Sequence, residues 1–73
     1  MTLIEIDDDR LLSLLPATTS ELAMILSGTT DKKSETYKRY MTLINRHMES
    51  MKRYNIVEMT GIKARTKTWG MIQ

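Results

Sequence analysis

Residues 34–54 read SETYKRYMTLINRHMESMKRY, and this stretch decides the fold because it runs for 21 residues without glycine or proline. Its apolar side chains recur at steps of four and three, which is the spacing of one stripe along an amphipathic α-helix. The stripe consists of Tyr37, Met41, Ile44, Met48 and Met51. At about 1.5 Å per residue the predicted helix is roughly 30 Å long, as long as a small domain is wide. The rest of the chain is therefore expected to pack against this stripe.

The opposite face of this predicted helix is basic. Rotation of about 100° per residue places charged and hydrogen-bonding side chains there and along one flank. These are Glu35, Arg39, Thr42, Arg46, Glu49 and Arg53 on the face, with Lys38, Asn45 and Lys52 on the flank. Such a surface is either the solvated outside of a small core or a binding surface, and the helix alone does not distinguish the two.

The length and composition limit the fold and the compartment. The 73 residues suffice for one domain, spanning 1–73, with a modest core. There is no cysteine, which excludes disulfides and thiolate metal sites and fits a reducing compartment. No apolar run approaches the roughly 18 residues of a membrane span, and the N-terminal residues are acidic where a signal peptide is basic. We expect a cytoplasmic protein without a membrane segment.

Charge is distributed unevenly along the chain. Residues 1–31 contain six acids and one arginine, a net charge of −5, whereas residues 32–73 contain ten bases and three acids, a net charge of +7. The whole chain has a net charge of +2. This asymmetry favours a polyanion facing the second part, and a dipolar surface without any partner is the alternative.

The first part of the chain predicts a short helix. Residues 1–6 alternate weakly and are expected to be extended, as an edge strand or an unstructured lead-in. Asp7, Asp8 and Asp9 suit a helix N-terminus, and Pro16 ends that helix. Consecutive acids diverge on a helix and lack the spacing of a calcium loop, so no metal site is expected.

A capping box opens a second predicted helix. Thr18 and Glu21 have its spacing, and Gly28 is the expected end of the helix. The side chains expected to face inward are Leu22, Ala23, Ile25 and Leu26. The turn that follows offers Thr30 or Asp31 as the cap of the long helix.

The C-terminal residues predict a β-hairpin with a basic tip. Asn55 can adopt the left-handed geometry that ends the long helix, and a strand follows it. A second strand spans 65–72, where Trp69 and Met71 are expected to be buried. Basic residues share their alternating face, so either a bulge near Gly70 or a hairpin extending beyond the body is expected. The tip presents Lys63, Arg65 and Lys67.

The order of helix, helix, long helix and β-hairpin resembles that of winged helix-turn-helix DNA-binding domains. The nearest local likeness is in residues 42–57, TLINRHMESMKRYNIV, which resemble the segment of MarR-like and ArsR-like regulators where a polar helix runs into a short apolar strand. Residues 19–23, TSELA, are similar to the start of that family's positioning helix. The implied fold is mainly α with a C-terminal β-hairpin, three helices plus a wing, as in small archaeal or viral regulators.

One segment departs from that family's pattern. Fifteen residues, 27–41, separate Leu26 from Thr42, where such domains have a tight turn and a few helical residues. Either the third helix is extended at its N-terminus or a loop is inserted there. The spacing of Tyr37 and Met41 favours the extended helix.

The resemblance implies a DNA-binding face made of the third helix and the wing. Thr42, Asn45 and Arg46 match positions that usually face DNA in the family. In this role Arg39 and Arg46 are expected to fork to guanine, Asn45 to pair with adenine, and Thr42 to touch a base or a phosphate. Flexible cations at the helix start and at the hairpin tip suit phosphate contacts. These cations are Lys32, Lys33, Lys38, Lys63, Arg65 and Lys67.

The leading hypothesis is a sequence-specific DNA-binding transcriptional regulator, with double-stranded DNA as partner, a homodimer as the binding form and no cofactor. A protein–protein interaction module is the alternative, because seven methionines offer an adaptable apolar surface where they are exposed. RNA binding by Tyr37, Tyr40 and Trp69 is a third hypothesis, although their spacing suits core packing better. An enzyme is not expected, because the single histidine, His47, has no evident nucleophile and acid beside it.

Overall fold

The chain folds into three helices and a three-stranded antiparallel sheet, and the computed structural model describes residues 5–63 and 65–72. In chain order the elements are α1 (Asp8–Ser13), β1 (Ala17–Thr18), α2 (Thr19–Ser27), α3 (Glu35–Arg53), β2 (Val57–Lys63) and β3 (Thr66–Met71). The strand order is β1-β3-β2, so that β3 lies in the middle of the sheet. The prediction of a helix-rich chain with a C-terminal hairpin is confirmed, and strand β1 is an element that the sequence reading missed.

Helix α1 begins and ends as its sequence predicts. The Asp7 carboxylate caps it by accepting a 3.0 Å hydrogen bond from the backbone N–H of Asp9. Leu11 is fully buried, and the helix is over before Pro16. The extended segment predicted for residues 1–6 lies mostly outside the described residues, and its described part, residues 5 and 6, is not in a strand.

Helix α2 has the predicted capping box and the predicted end. The hydroxyl of Thr18 accepts a hydrogen bond from the backbone N–H of Glu21 at 3.0 Å, and Gly28 ends the helix with a φ of 73°. Leu22 and Ala23 are fully buried, but Ile25 is 47% exposed, so its predicted burial is wrong. At 100° per residue, Ile25 lies about 160° around the helix from the buried Ala23.

The predicted apolar stripe of α3 is confirmed. Tyr37, Ile44, Met48 and Met51 are buried and Met41 is half-buried. Both features considered for residues 27–41 are present, because residues 28–34 form a loop and the helix begins seven residues before Thr42.

The cap of α3 differs from the prediction. Ser34 is the capping residue, and its hydroxyl accepts a hydrogen bond from the backbone N–H of Tyr37 at 3.2 Å. Asp31 instead caps the preceding turn, accepting from the N–H of Lys33 at 3.0 Å. The prediction of Thr30 or Asp31 is therefore wrong, because Asp31 satisfies its own turn before the helix begins.

The hairpin contains a bulge, in the strand opposite the predicted one. Asn55 ends α3 with the expected positive φ of 63°. The register of β2 against β3 shifts between Met59 and Gly61, so that Thr60 is the extra residue. A β-carbon on Gly70 would lie 3.1 Å from the Thr60 methyl group, so glycine leaves the room that the bulge needs.

Trp69 and Met71 of β3 were both expected to be buried, and they differ in exposure. Trp69 is fully buried as predicted, whereas Met71 is 47% exposed and its predicted burial is wrong. A bulge near Gly70 is present as predicted, although its extra residue, Thr60, lies across the hairpin in β2.

The core lies where the three helices meet one face of the sheet. Its largest fully buried side chains are Trp69, Leu11, Leu22, Ile44, Met48, Val57 and Thr19. In the described part of the chain, every buried side-chain polar atom has a hydrogen-bond partner. None of the helices described is both long enough and apolar enough to cross a membrane.

Candidate nucleic-acid interface

The outer face of α3 carries a row of exposed cations. Arg39, Arg46 and Arg53 are exposed along it, as is Lys38. A groove of about 410 Å³ runs along the second half of this face. Its lining residues are Asn45, Arg46, Glu49, Ser50 and Arg53. Arg53 also belongs to this site, although it was not among the predicted DNA contacts. Its signal in the sequence is the spacing of seven residues from Arg46, about two helical turns, which places both on one face.

An ion pair fixes the hairpin to this face of α3. Lys67 of β3 donates from Nζ to Oε1 of Glu49 at 2.7 Å, and Nζ also lies 6.0 Å from the centre of the Trp69 ring. The hydrogen bond from Lys67 holds the pKa of Glu49 below its usual value, and the charges of Lys67, Lys52 and Arg53 act in the same direction. The basic end of the hairpin and the basic face of α3 therefore lie side by side.

A buried chain of hydrogen bonds crosses the same junction. The indole Nε1–H of Trp69 donates to the hydroxyl of Thr19 at 2.8 Å. That hydroxyl donates to Oδ1 of Asn45 at 3.0 Å. Asn45 is half-buried with its Oδ1 directed to Thr19 of α2, while Thr42, about one turn earlier, is exposed and donates from its hydroxyl to the carbonyl of Lys38.

Two smaller clefts flank the hairpin. One, of about 120 Å³, lies between α3 and the hairpin and is lined by Thr19, Met41, Asn45, Arg65, Thr66 and Lys67. The other, of about 280 Å³, is lined by Thr18, Ser20, Glu21, Met24, Lys32, Lys63 and Thr66. The hairpin turn between them contains Arg65 at a φ of 66°, and Thr66 donates from its hydroxyl to the carbonyl of Lys63 at 2.9 Å. Lys63 and Arg65 thus reach opposite sides of one turn.

All the predicted site residues except Lys33 fall into three places. The structure brings Asn45, Arg65 and Lys67 together in one cleft and Lys32 and Lys63 in the other. The helix face holds Lys38, Arg39, Thr42 and Arg46. Lys33 is exposed in the loop before α3 and lines none of these clefts. Thr19 and Glu49 were missed as parts of the site, and their signal is weak because both act through partners distant in sequence.

Helix α1 and its acids lie against the other flank of α3. His47 pairs from Nδ1 with Oδ1 of Asp8 in α1 at 2.6 Å. His47 and Glu49 are two positions apart, which places them about 160° apart around α3. The acids of α1 and the cations of the hairpin therefore flank α3 on different sides.

The exposed polar groups of this surface are mostly hydrogen-bond donors and cations, which suit an anionic ligand. Guanidinium, ammonium and amide groups dominate it, and the acid among the groove residues, Glu49, is already paired with Lys67. Comparison with models of protein families, with curated protein sequences and with solved structures gave no match. The function is therefore inferred from the residues and their geometry.

Proposed function

We propose that the chain is a sequence-specific double-stranded DNA-binding protein with a winged helix-turn-helix fold, acting as a transcriptional regulator in the cytoplasm. One observation carries the proposal, namely that the Lys67–Glu49 pair joins the basic hairpin to the basic face of α3 while α1 and its acids lie on the other flank. A single face with many cations is the electrostatic footprint of a protein that binds a polyanion. The order of the helices and the hairpin supports the winged-helix assignment.

In this proposal α3 enters the major groove. The groove is about 12 Å wide, and a helix with its side chains is about 10–12 Å across. Arg39 and Arg46 project from the face of α3 that is away from its buried stripe, so each has a rigid guanidinium fork available for guanine O6 and N7. Arg53 extends the same row toward the backbone of the duplex.

The hairpin acts as the wing and follows the phosphate backbone. Lys63 and Arg65 are exposed on either side of its turn, where their charges can neutralise phosphates without reading a base. Lys32 and Lys33 in the loop before α3, with Lys38 in its first turn, extend the phosphate contacts. Because Lys67 neutralises the carboxylate of Glu49, this acid in the groove repels the DNA phosphates less.

A homodimer is the proposed binding form. A single module buries about 600–1,000 Å² on DNA, whereas two half-sites about one helical turn apart supply the specificity of a regulator. The first half of α3 together with residues 1–6 is the proposed contact, although residues 1–4 lie outside the described part of the chain. Sedimentation of the free and the DNA-bound protein tests it, and a strict monomer in both contradicts it.

The decisive experiment measures binding to a random-sequence duplex over a range of salt concentrations. We expect binding at low salt and a steep linear fall of log K against log salt concentration. Selection of preferred sites from a random library then tests sequence specificity. Arg10→Ala is the matched control, because it removes an exposed arginine from the α1 side of the molecule and is expected to change little. Absence of any salt-dependent binding by the wild-type chain overturns the proposal.

A protein–protein interaction module remains the second candidate, and exposed methionines favour it. Met59 is 40% exposed and Met71 is 47% exposed. Other exposed large apolar side chains lie in the same part of the chain, and these are Tyr54, Ile56, Ile62 and Ile72. An adaptable apolar surface of this kind suits a protein partner. This candidate predicts no salt-dependent DNA binding, so the same titration separates the two.

A further inference from the structure

The hydrogen-bond chain that ends at Asn45 has a fixed direction. The indole Nε1 of Trp69 can only donate, so the Thr19 hydroxyl must accept from it. A hydroxyl has one proton, and among the described residues the remaining partner of Thr19 is Asn45. Asn45 therefore presents its Oδ1 to Thr19, and the order of the chain fixes which way the amide points.

Because Oδ1 of Asn45 faces Thr19, the Nδ2 group is the part of this amide that faces outward. Nδ2 makes none of the hydrogen bonds found among the described residues, and no buried side-chain nitrogen there is without a partner. Nδ2 is therefore open to solvent, where it can donate but not accept. Bidentate pairing with adenine needs one donor and one acceptor, because adenine offers N7 and N6–H. Oδ1 keeps a second lone pair, but it faces the buried hydroxyl of Thr19, so adenine pairing would require Asn45 to turn away from the buried chain.

The cleft around Asn45 favours an oxyanion. No acid lines it, and Arg65 and Lys67 contribute two cations. Lys67 is shared with Glu49, so Arg65 provides the charge that is not compensated by a described ion pair. A cleft lined by amide, ammonium and guanidinium donors and by no carboxylate matches a phosphate group, which only accepts.

We propose that the cleft between α3 and the hairpin is a phosphate-binding site in which Asn45, held by Thr19 and Trp69, is a fixed donor and does not read adenine. The inference rests on the proposed function and deepens it, since the phosphate is then one of the DNA backbone at the junction of helix and wing. It revises the adenine contact that the sequence resemblance implies for Asn45.

The test compares Asn45→Asp with Asn55→Asp. The first keeps the oxygen that accepts from Thr19 and replaces the outward amide with a negative oxygen. The second makes the same chemical change at an exposed residue with a φ of 63°, which aspartate tolerates, at the far end of the hairpin from its turn. Binding is measured by anisotropy on duplexes made only of A·T pairs and only of G·C pairs.

We expect Asn45→Asp to weaken binding to both duplexes by the same factor, about tenfold or more, because like charges then face each other. Asn55→Asp is expected to weaken binding far less. A loss confined to the A·T duplex would show that Asn45 reads adenine and would overturn the proposal. Equal effects of the two variants would overturn it as well, because the cleft would then have no special role.

A second measurement does not depend on DNA. The side-chain amide signals of Asn45 are followed by NMR while inorganic phosphate is added, with sodium chloride at matched ionic strength as reference. We expect phosphate to shift them in the wild-type chain and in Thr19→Ser, which keeps the hydroxyl, and to shift them much less in Thr19→Val. Thermal melting shows whether each variant is folded, and an unshifted Asn45 signal in the folded wild type overturns the site.

The two arms separate the failure of this site from the failure of the proposed function. A wild-type chain that binds no duplex removes the DNA-binding proposal, and the phosphate titration then decides the cleft by itself. A shift with free phosphate supports an oxyanion site whose source is not DNA, and no shift removes the site too.

Discussion

The two flanks of α3 are held by different kinds of contact. On the α1 flank, the polar link is the His47–Asp8 pair, whose side chains are 36% and 52% exposed. On the hairpin flank there are two links. One is the exposed ion pair Lys67–Glu49, and the other is the chain of hydrogen bonds from Trp69 through Thr19 to Asn45. Exposed pairs contribute at most about 1 kcal/mol, whereas leaving one buried polar group unpaired costs about 1–3 kcal/mol. The polar contacts thus fix the hairpin more firmly than they fix α1.

This difference bears on the proposed function. A binding surface formed by α3 and the hairpin binds more tightly if their relative position is fixed before the ligand arrives, because ordering them on binding costs affinity. The hairpin flank has that rigidity, and it is also the flank where cations gather. The α1 flank carries acids and needs no fixed geometry toward a polyanion.

The largest expected effect comes from removing the anchor of the hairpin. Trp69→Ala deletes a fully buried side chain and the donor that Thr19 accepts from. We expect the free energy of unfolding to fall by about 3–5 kcal/mol, a large share of what a domain this small has. Urea unfolding followed by circular dichroism measures it.

Met71→Ala is the control for this prediction. Met71 lies on the same strand but is 47% exposed, so its truncation is expected to change stability by no more than about 0.5 kcal/mol. Similar losses in the two variants would mean that strand β3 is not anchored through its buried indole, and the contrast between the flanks would then fail.

The next effect concerns the middle of the α3 face. Arg46 is exposed on the face away from the buried Ile44 and Met48, so it projects from the helix body where a guanidinium fork can read one base pair. Arg46→Ala is expected to cost about 1–3 kcal/mol on the preferred site and much less on random DNA. Titration of a selected and a scrambled duplex gives both values. Equal losses on the two duplexes would mean that α3 positions the protein and another element reads the sequence.

A smaller and less selective effect is expected at the tip of the hairpin. Lys63 is exposed at the end of β2, and its flexible ammonium can follow a phosphate but has no fixed geometry toward a base. Lys63→Ala is expected to weaken binding to all duplexes alike and to lower the slope of log K against log salt by about 1. An unchanged slope would place the hairpin turn outside the interface. Arg10→Ala, on the α1 flank, is expected to leave the slope unchanged.

Much of the fold could be predicted because its signals are local. The cap by Asp7, the capping box at Thr18, the ending at Gly28 and the left-handed Asn55 each depend on residues within one turn of each other. The apolar stripe of α3 is likewise visible in the sequence, as side chains that recur at steps of four and three residues.

What the sequence did not predict depends on partners far apart in the chain. Thr19 and Asn45 are 26 positions apart, and Thr19 and Trp69 are 50 apart, so no spacing rule connects them. Strand β1 has two residues and exists because β3 lies beside it. The bulge at Thr60 is set by the close approach of Gly70 across the hairpin. For this reason Asn45, on the flank of the outer face, was expected to meet DNA, since helix periodicity shows a face but not the neighbour that covers it.

The smallest expected effect is the pH dependence of the Lys67–Glu49 pair. The pKa of Glu49 in the folded chain is lowered, chiefly by the hydrogen bond from Lys67, so the folded state favours its ionised form. The pair therefore contributes stability above the pKa that Glu49 has when unfolded, and this contribution is lost as the pH falls through the folded-state pKa. Because both side chains are nearly half-exposed, the contribution is expected to be about 0.2–1 kcal/mol.

A double-mutant cycle of Glu49→Gln and Lys67→Met, measured at neutral pH and again in acid, isolates this contribution. The coupling is expected at neutral pH and absent in acid, while Asp8→Asn, the same change on the α1 flank, leaves it unaltered. Coupling that persists in acid would mean that the hydrogen bond between Lys67 and a protonated Glu49, and not their opposite charges, links this end of the hairpin to α3.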